Sequence, residues 1–293
     1  MAALFTEQVH EFISKLFLLL SIPTYVITRY VIIAPFGRHV QDEDGKKYRW
    51  WYGPQFDAKL SWFLFECPNL CWAWYCYFSV RDPYVMNDVT RMVSVDNNQL
   101  QISTNTVLLA LFTLHYINRA ILYPLRMNSN SHRVPLIITI SACNVTILNG
   151  YIQCFYLVRL HKLAPLSLPP SSWINLQCWL GIMIFVVGMT INIQADGVLR
   201  DLRRQRNRDG QNVTYYIPKS QLFTYVSCPN FLGEILEWFG FSIASQFSLP
   251  AVAFFIYTSS NLVPRGVAHH KWYQNKFEDY PKDRKWAVIP FVV

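Results

Sequence analysis

Three stretches of this chain carry charged and amide side chains at helical spacing, inside or at the mouth of segments apolar enough to cross a membrane. Tyr116, Arg119 and Tyr123 fall at i, i+3 and i+7. Asn192, Asp196, Arg200 and Arg203 fall at i, i+4, i+8 and i+11, and Asn230, Glu234 and Glu237 at i, i+4 and i+7. Each set lies along one face of a helix. Ionisable groups are costly in lipid, so these must face a protein interior, a wet cavity or a polar ligand. Three such faces imply a polar ligand held among membrane helices.

The residue types suggest what each face could do. Glu66 sits among aromatic and apolar neighbours in Trp62-Phe63-Leu64-Phe65-Glu66. A carboxyl there can keep its proton and donate a hydrogen bond, or serve as a buried ion-pair partner for Arg119. A tyrosine hydroxyl such as that of Tyr116 can polarise a ketone oxygen in a dry pocket and donate to it as charge develops. The bland role of a membrane tyrosine is an interfacial anchor, and Arg119 on the same face argues against it. Asn192 and Asp196 suit ribose hydroxyls or an amide. Arg203 suits a phosphate, to which a guanidinium gives two parallel hydrogen bonds; Arg204, Arg206 and Arg208 read as orientation charges. Glu234 and Glu237 repel unless a ligand or a distant arginine relieves them. They would hold a cation or proton in a transporter, and hydroxyls or an amide in an enzyme. The tail from His269 to Lys285 mixes aromatics with cations, which suits purine stacking and phosphate pairing, or contact with anionic lipid.

The elements that must position these groups are helices. Of 293 residues only 15% are charged while 52% are hydrophobic, against roughly 25% charged in soluble domains. Apolar runs predict helices near 11–35, 60–80, 104–125, 135–158, 174–195, 221–240 and 243–263. That makes seven spans, or six if the last two merge, since 221–263 contains no Lys or Arg. The first run opens with Glu7 and Glu11 and is followed by no small-residue cleavage site, so it is read as a retained helix. Pro68 is expected to kink the second span. No repeat or composition shift divides the chain, so 1–293 reads as one all-α membrane domain with most site motifs in 188–293.

Charge placement sets orientation. Lys and Arg cluster between the first two spans (Arg38, Lys46, Lys47, Arg49, Lys59), over 200–219 and in the tail, while the opposite loops carry only Arg81, Arg91, Arg159 and Lys162. The positive-inside rule then puts the tail in the cytosol and the N-terminus outside it. The net charge of +8 is mostly this signal, and no nucleic-acid motif accompanies it. Seven cysteines, nearly all in apolar runs, complete no metal-ligand spacing, although Cys67 and Cys71 share a helix face. The sequons at Asn144 and Asn212 fall inside a span and on the cytosolic side. No Gly-rich nucleotide fingerprint is present, so a bound nucleotide is not held by a Rossmann or P-loop fold.

The same residues carry a family likeness. The run Ile-Asn-Ile-x-x-Asp-x-x-Leu-Arg-x-Leu-Arg at 191–203 is followed by Leu222-Phe223-x-Tyr225-Val226-Ser227 and Asn230-Phe231-Leu232-Gly233-Glu234-Ile235-x-Glu237-Trp238. His269-His270-x-x-Tyr273, Phe277-Glu278-Asp279-Tyr280-Pro281-Lys282-x-Arg284-Lys285 and Ile289-Pro290-Phe291 close it. Upstream stand Trp62-Phe63-Leu64-x-Glu66 and His115-Tyr116-x-x-Arg119 with Tyr123. In these motifs the chain resembles the steroid 5α-reductases, endoplasmic-reticulum membrane enzymes that reduce steroid double bonds with NADPH. The resemblance implies seven transmembrane helices enclosing a cofactor and steroid cavity, with NADPH entering from the cytosol. It matches Glu66 and Tyr116 to the pair that binds the steroid 3-keto group and Trp62 to an aromatic beside the steroid. It matches Arg119, Tyr123, Asn192, Asp196, Arg203, Tyr215, Asn230, Glu234, Arg265, His269 and Tyr273 to the cofactor pocket. The chain departs from the family pattern at Phe65, where a glutamine is usual, at Tyr216, where a basic residue is usual, and at Ser220-Gln221, where Gly-Gly is usual. Its 204–214 loop is also longer.

The expectation is reduction of the C4–C5 double bond of a 3-oxo-Δ4 steroid by NADPH in the endoplasmic-reticulum membrane. It carries no metal and no nucleic-acid partner. The alternatives are a trans-2-enoyl-CoA reductase of the same superfamily and a non-catalytic sterol-binding or transport protein.

Overall fold

The computed structural model describes residues 6–31, 53–79, 93–96, 99–127, 133–209 and 215–293. The basic residues Arg38, Lys46, Lys47, Arg49, Arg81 and Arg91 and the Asn212 sequon lie outside the described residues.

Among the described residues, seven α-helices of more than ten residues follow in order. They are α1 (Glu7–Val26), α2 (Ala58–Ser79), α3 (Thr104–Tyr116), α4 (Leu136–Phe155), α5 (Trp173–Asp209), α6 (Pro229–Ala244) and α7 (Leu249–Lys276). Their starts have local causes. Thr6 and Ser103 cap α1 and α3 with side-chain oxygens, and Asp57 accepts from the Lys59 and Leu60 amides at the head of α2. Proline opens α6 and α7, where a missing N–H costs nothing. Wider π turns continue α1 (Ile27–Val31), α3 (Ile117–Leu122) and α4 (Tyr156–Leu160). The α3 turn holds Arg119, and helix resumes over Tyr123–Arg126. α2 runs through Pro68 as one element.

Among the described residues, four segments are long and apolar enough to cross a membrane: Glu7–Val31, Thr104–Arg126, Leu136–Leu160 and Trp173–Gln205. α6 has only 16 residues, about 24 Å of helix against a hydrocarbon core of about 30 Å. α2 is long enough, but Lys59, Glu66 and a run of Trp, Tyr and Cys dilute its hydropathy.

Two expectations change. The α-helix expected over 221–240 begins only at Pro229, because Gln221–Thr224 form a short 3-10 helix and residues 226–228 pair with the tail. The Ser227 amide donates to the Trp286 carbonyl (3.1 Å) and the Cys228 amide to that of Ala287 (2.9 Å). The all-α expectation also gains short antiparallel strands. β1 (Gln55–Phe56) pairs with β4 (Val134–Pro135), and β2 (Val93–Asp96), β3 (Gln99–Ile102) and β5 (Leu166–Leu168) form a second sheet.

Helices pack in pairs, α5 with α6, α2 with α4 and α1 with α7. The first pair is the tightest, because glycines face each other across it. A Cβ on Gly181 would stand 2.6 Å from the Gly240 carbonyl oxygen, and one on Gly188 2.6 Å from that of Gly233. The backbones therefore touch with no side chain between them. Outward faces carry exposed apolar groups such as Phe12, Leu19, Ile140, Trp173 and Met183. Phe112, Phe185, Trp238 and Phe241 fill the core.

Beyond the last helix, residues 277–293 fold back on α6 and α7 and bury Ala287 and Val288 against Cys228, Ile235 and Leu262. The Ser227 hydroxyl sits 2.5 Å from His270 Nδ1 and 2.6 Å from the Tyr280 hydroxyl. Arg284, buried, donates from Nη2 to the Pro218 carbonyl (2.8 Å).

Replacing Gly188 by alanine should destabilise the protein by about 1–3 kcal/mol through overpacking. Thermal melting in detergent checks this, and an unchanged midpoint would refute backbone contact. His270 lies beyond the apolar part of α7, and burial together with the Arg284 charge lowers its pKa. The unfolded chain takes up that proton more readily, so tail docking should weaken as pH falls through about 6.5. Hydrogen exchange at the Ser227 and Cys228 amides should lose protection between pH 7.5 and 5.5. Constant protection, after correction for intrinsic rates, would contradict it.

Candidate functional site

A cavity of about 480 Å³ opens among the helices, within the size range of pockets that enclose a small ligand. Every helix contributes to its wall. α2 supplies Trp62 and Glu66, and α3 with its π turn and final turn supplies Tyr116, Arg119 and Tyr123. Asn192, Asp196 and Arg203 come from α5, Asn230 and Glu234 from α6, Arg265 and His269 from α7, and Tyr215 from the connection between α5 and α6. Thirteen of the fourteen residues singled out in the sequence thus share one wall. Tyr273 does not. It is buried in the tail packing, stacked on Phe277 (6.0 Å) and Tyr280 (5.7 Å).

Arg119 is the hub. Its Nε lies 3.7 Å from Glu66 Oε1, its Nη1 3.4 Å from Asp196 Oδ2 and its Nη2 3.6 Å from Glu234 Oε2. Three helices thus present carboxylates to one cation. The guanidinium also stands over the Trp62 ring (4.9 Å) and the Tyr123 ring (5.3 Å). These ion pairs are longer than the roughly 2.7–2.9 Å of tight charge-assisted bonds, so the cluster is held by summed attraction in a dry setting.

The α5–α6 contact sets the next layer. The Asn192 amide donates to the Asn230 carbonyl (2.9 Å), and the Asn230 amide donates to Asp196 Oδ1 (3.1 Å). One oxygen of Asp196 therefore faces Asn230 and the other Arg119. Further along the wall, Arg203 approaches the Tyr123 hydroxyl. Arg265 lies over the Phe231 ring (5.4 Å), and His269 packs on that ring. Tyr215 meets Trp272 edge-on (4.9 Å).

Two features escaped the sequence reading. His115 Nδ1 lies 3.1 Å from Glu237 Oε1, both side chains almost fully buried. Glu237 is thus turned away from Glu234, and His115, not Glu237, lines the cavity. The second feature surrounds Tyr116. Its hydroxyl accepts from the Asn149 amide nitrogen (3.0 Å), which also donates to Asn69 Oδ1 (3.1 Å). Gln153 donates to Asn149 Oδ1 (3.4 Å). The signal available was Asn149 and Gln153, amides at i and i+4 inside an apolar span. Among the described residues no three His, Cys, Asp or Glu side chains converge to hold a metal ion.

Apolar side chains fill out the lining, Phe65 on α2, Ile138, Ala142 and Val145 on α4, and Phe254 and Leu262 on α7. The cavity thus joins an ionic cluster, cations beside aromatic rings, and an apolar lining into which the Tyr116 and Tyr257 side chains are set. Replacing Arg119 by methionine should leave three carboxylates without their counter-ion and cost about 3–5 kcal/mol. Glu234→Gln should cost much less. Melting of the purified variants tests this, and equal midpoints would remove Arg119 from the hub.

Comparison with known proteins identifies the family. Residues 132–293 match the family model described as 3-oxo-5-alpha-steroid 4-dehydrogenase. A protein of Solanum lycopersicum named steroid 5-alpha-reductase is 35% identical over 289 residues, covering 98% of each chain. The 3-oxo-5-alpha-steroid 4-dehydrogenase 1 of Rattus norvegicus is 34% identical over 261 residues, 89% of this chain and 86% of its own. The type 2 protein of Homo sapiens is 40% identical over 188 residues, 64% and 68% of the two chains. With its full-length likeness to these proteins, the chain belongs to the 3-oxo-5-alpha-steroid 4-dehydrogenase family of oxidoreductases.

Proposed function

We propose that this protein reduces the C4–C5 double bond of a 3-oxo-Δ4 steroid, giving the 5α-steroid, with NADPH as reductant. The observation that carries the reading is the single cavity lined both by Tyr116 and Glu66 and by Arg203, Arg265 and His269. The steroid lies against the apolar lining and Trp62, with its 3-keto oxygen toward Tyr116 and Glu66.

The residues present fit the cofactor. The three acidic side chains that line the cavity cluster on Arg119, so the end carrying Arg200, Arg203, Arg265 and His269 has net positive character. Guanidinium groups beside aromatic rings suit phosphates and a purine. Asn192, Asp196, Asn230 and Glu234 supply donors and acceptors for ribose hydroxyls and an amide. Tyr215 and Tyr273 belong to this end, the first on the wall and the second as a brace behind it. When bound, NADPH supplies the hydride that C5 receives from the α face. Tyr116 donates a hydrogen bond to the 3-keto oxygen and stabilises the enolate oxygen as negative charge builds there. Glu66, held by Arg119, fixes the polar side of the ketone subsite. A proton drawn from solvent then adds at C4 as the enolate returns to the ketone.

The same reading makes 1–293 one reductase domain with seven transmembrane helices in the endoplasmic-reticulum membrane. The N-terminus is lumenal and the tail cytosolic, so the cationic end of the cavity opens to soluble NADPH.

The test is NADPH oxidation by detergent-purified protein offered a 3-oxo-Δ4 steroid, a trans-2-enoyl-CoA or no acceptor. Steroid-dependent oxidation yielding a 5α product is expected. Oxidation only with the enoyl-CoA, or steroid binding without oxidation, would overturn the proposal. Tyr116→Phe should lower kcat by about 100-fold or more while NADPH affinity holds. Undiminished turnover in that variant would remove Tyr116 from the chemistry.

A further inference from the structure

A buried amide relay ends on the tyrosine just assigned. Its members come from four helices, Pro250 on α7, Gln153 and Asn149 on α4, Asn69 on α2 and Tyr116 on α3. Asn69 and Asn149 are fully buried, Gln153 is 1% exposed and Tyr116 2%. An amide pair inside an apolar span is costly where a leucine would fill the same volume, so the relay needs a reason.

Its direction is fixed at one end. The Pro250 carbonyl can only accept, and Gln153 Nε2 donates to it at 2.8 Å. The same nitrogen faces Asn149 Oδ1 at 3.4 Å. Asn149 must therefore present its nitrogen to Tyr116, at 3.0 Å, and to Asn69 Oδ1, at 3.1 Å. The two N–H bonds and the carbonyl of Asn149 are each engaged. The Tyr116 oxygen accepts a hydrogen bond from Asn149, so its own O–H bond cannot point back along that contact. It is turned away from α4, and Tyr116 lines the cavity. Accepting a hydrogen bond also makes a hydroxyl a better donor.

We propose that Asn149 is a positioning residue that forces the Tyr116 hydroxyl to donate into the cavity, with Gln153 and the Pro250 carbonyl fixing the sense of the Asn149 amide. This rests on the reading of Tyr116 as the donor to the steroid ketone. Asn149 touches no reacting atom and acts only through Tyr116.

The experiment is a double-mutant cycle in full-length purified protein, reading steroid-dependent NADPH oxidation and, separately, NADPH affinity. Asn149→Leu removes the donor, and Gln153→Met frees the Asn149 amide to turn over. With Tyr116 present, Asn149→Leu should lower kcat by about tenfold or more, and Gln153→Met by less, with NADPH affinity unchanged. In a Tyr116→Phe background neither change should lower the residual rate further, because the hydroxyl they orient is gone. Asn149→Asp adds a second signature. Its carboxylate accepts a hydrogen bond from the Tyr116 hydroxyl and so turns it away from the ketone, whereas the protonated acid can donate again, so its activity should rise as pH falls while that of Asn149→Leu should not. Equal losses in both backgrounds, or a loss carried by NADPH affinity, would overturn the role of Asn149 and leave Tyr116 in place. Wild-type protein inert toward the steroid, or Tyr116→Phe turning over normally, would instead bring down the functional reading, and this inference with it. If Asn149→Leu does not fold, the Gln153→Met and Asn149→Asp arms decide the same question.

Discussion

The packing of α5 on α6 rests on direct contact between their backbones. Gly181 meets Gly240 and Gly188 meets Gly233, at positions where any Cβ would overlap the facing helix. The spacing of seven residues on each helix keeps both contacts on one seam. Everything on the polar side of the site inherits its geometry from that seam. Asn192 lies one turn beyond Gly188 and Asn230 just before Gly233, so the Asn192 amide reaches the Asn230 carbonyl directly. Asp196, a turn further, meets the Asn230 side chain. Longer residues at the seam would push these partners apart and leave polar groups facing apolar surroundings.

The second constraint is electrostatic. Glu66, Asp196 and Glu234 come from different helices and are brought together around one guanidinium. In a poorly solvated setting a lone carboxylate is expensive, so each depends on Arg119, and Arg119 on all three. The π turn Ile117–Leu122 carries that arginine and changes the phase of α3 between Tyr116 and Tyr123, yet all three residues reach the same cavity. A cluster balanced in this way tolerates a ligand's added charge and dipoles better than it tolerates loss of a member. The aromatic faces of Trp62 and Tyr123 cover the remaining sides of the guanidinium and exclude water from it.

Much of the site was legible because its residues repeat at helical spacing. Tyr116 and Arg119, Asn192 and Asp196, and Asn230 and Glu234 each declare a shared face without knowledge of any partner. What the spacing could not supply is which faces meet. Glu237 looks like the natural companion of Glu234, yet the bend of the surface turns it to His115, more than a hundred residues earlier in the chain. Asn149 was invisible as a partner of Tyr116 because their meeting depends on how α3 and α4 pack. The start of α6 was misplaced for a similar reason. Residues 221–228 are apolar enough for a helix, but 221–224 make only a 3-10 turn and the tail claims the backbone at 226–228, while Gln221 takes a left-handed conformation (φ 55°) where the family pattern has glycine. Apolar periodicity records burial, and it is silent about pairing between segments sixty residues apart.

That pairing gives a segment outside the helices a hold on the cavity. The backbone of Ser227 and Cys228, which line the cavity, is bonded to Trp286 and Ala287. Those partners lie beyond α7, so the bundle can carry every polar group of the Arg119 cluster while one wall of the cavity stays unfastened. A chain clipped before residue 286 would keep every side chain of that cluster and still lack a finished pocket. The tail is thus a clasp on the wall and not an appendage to the bundle.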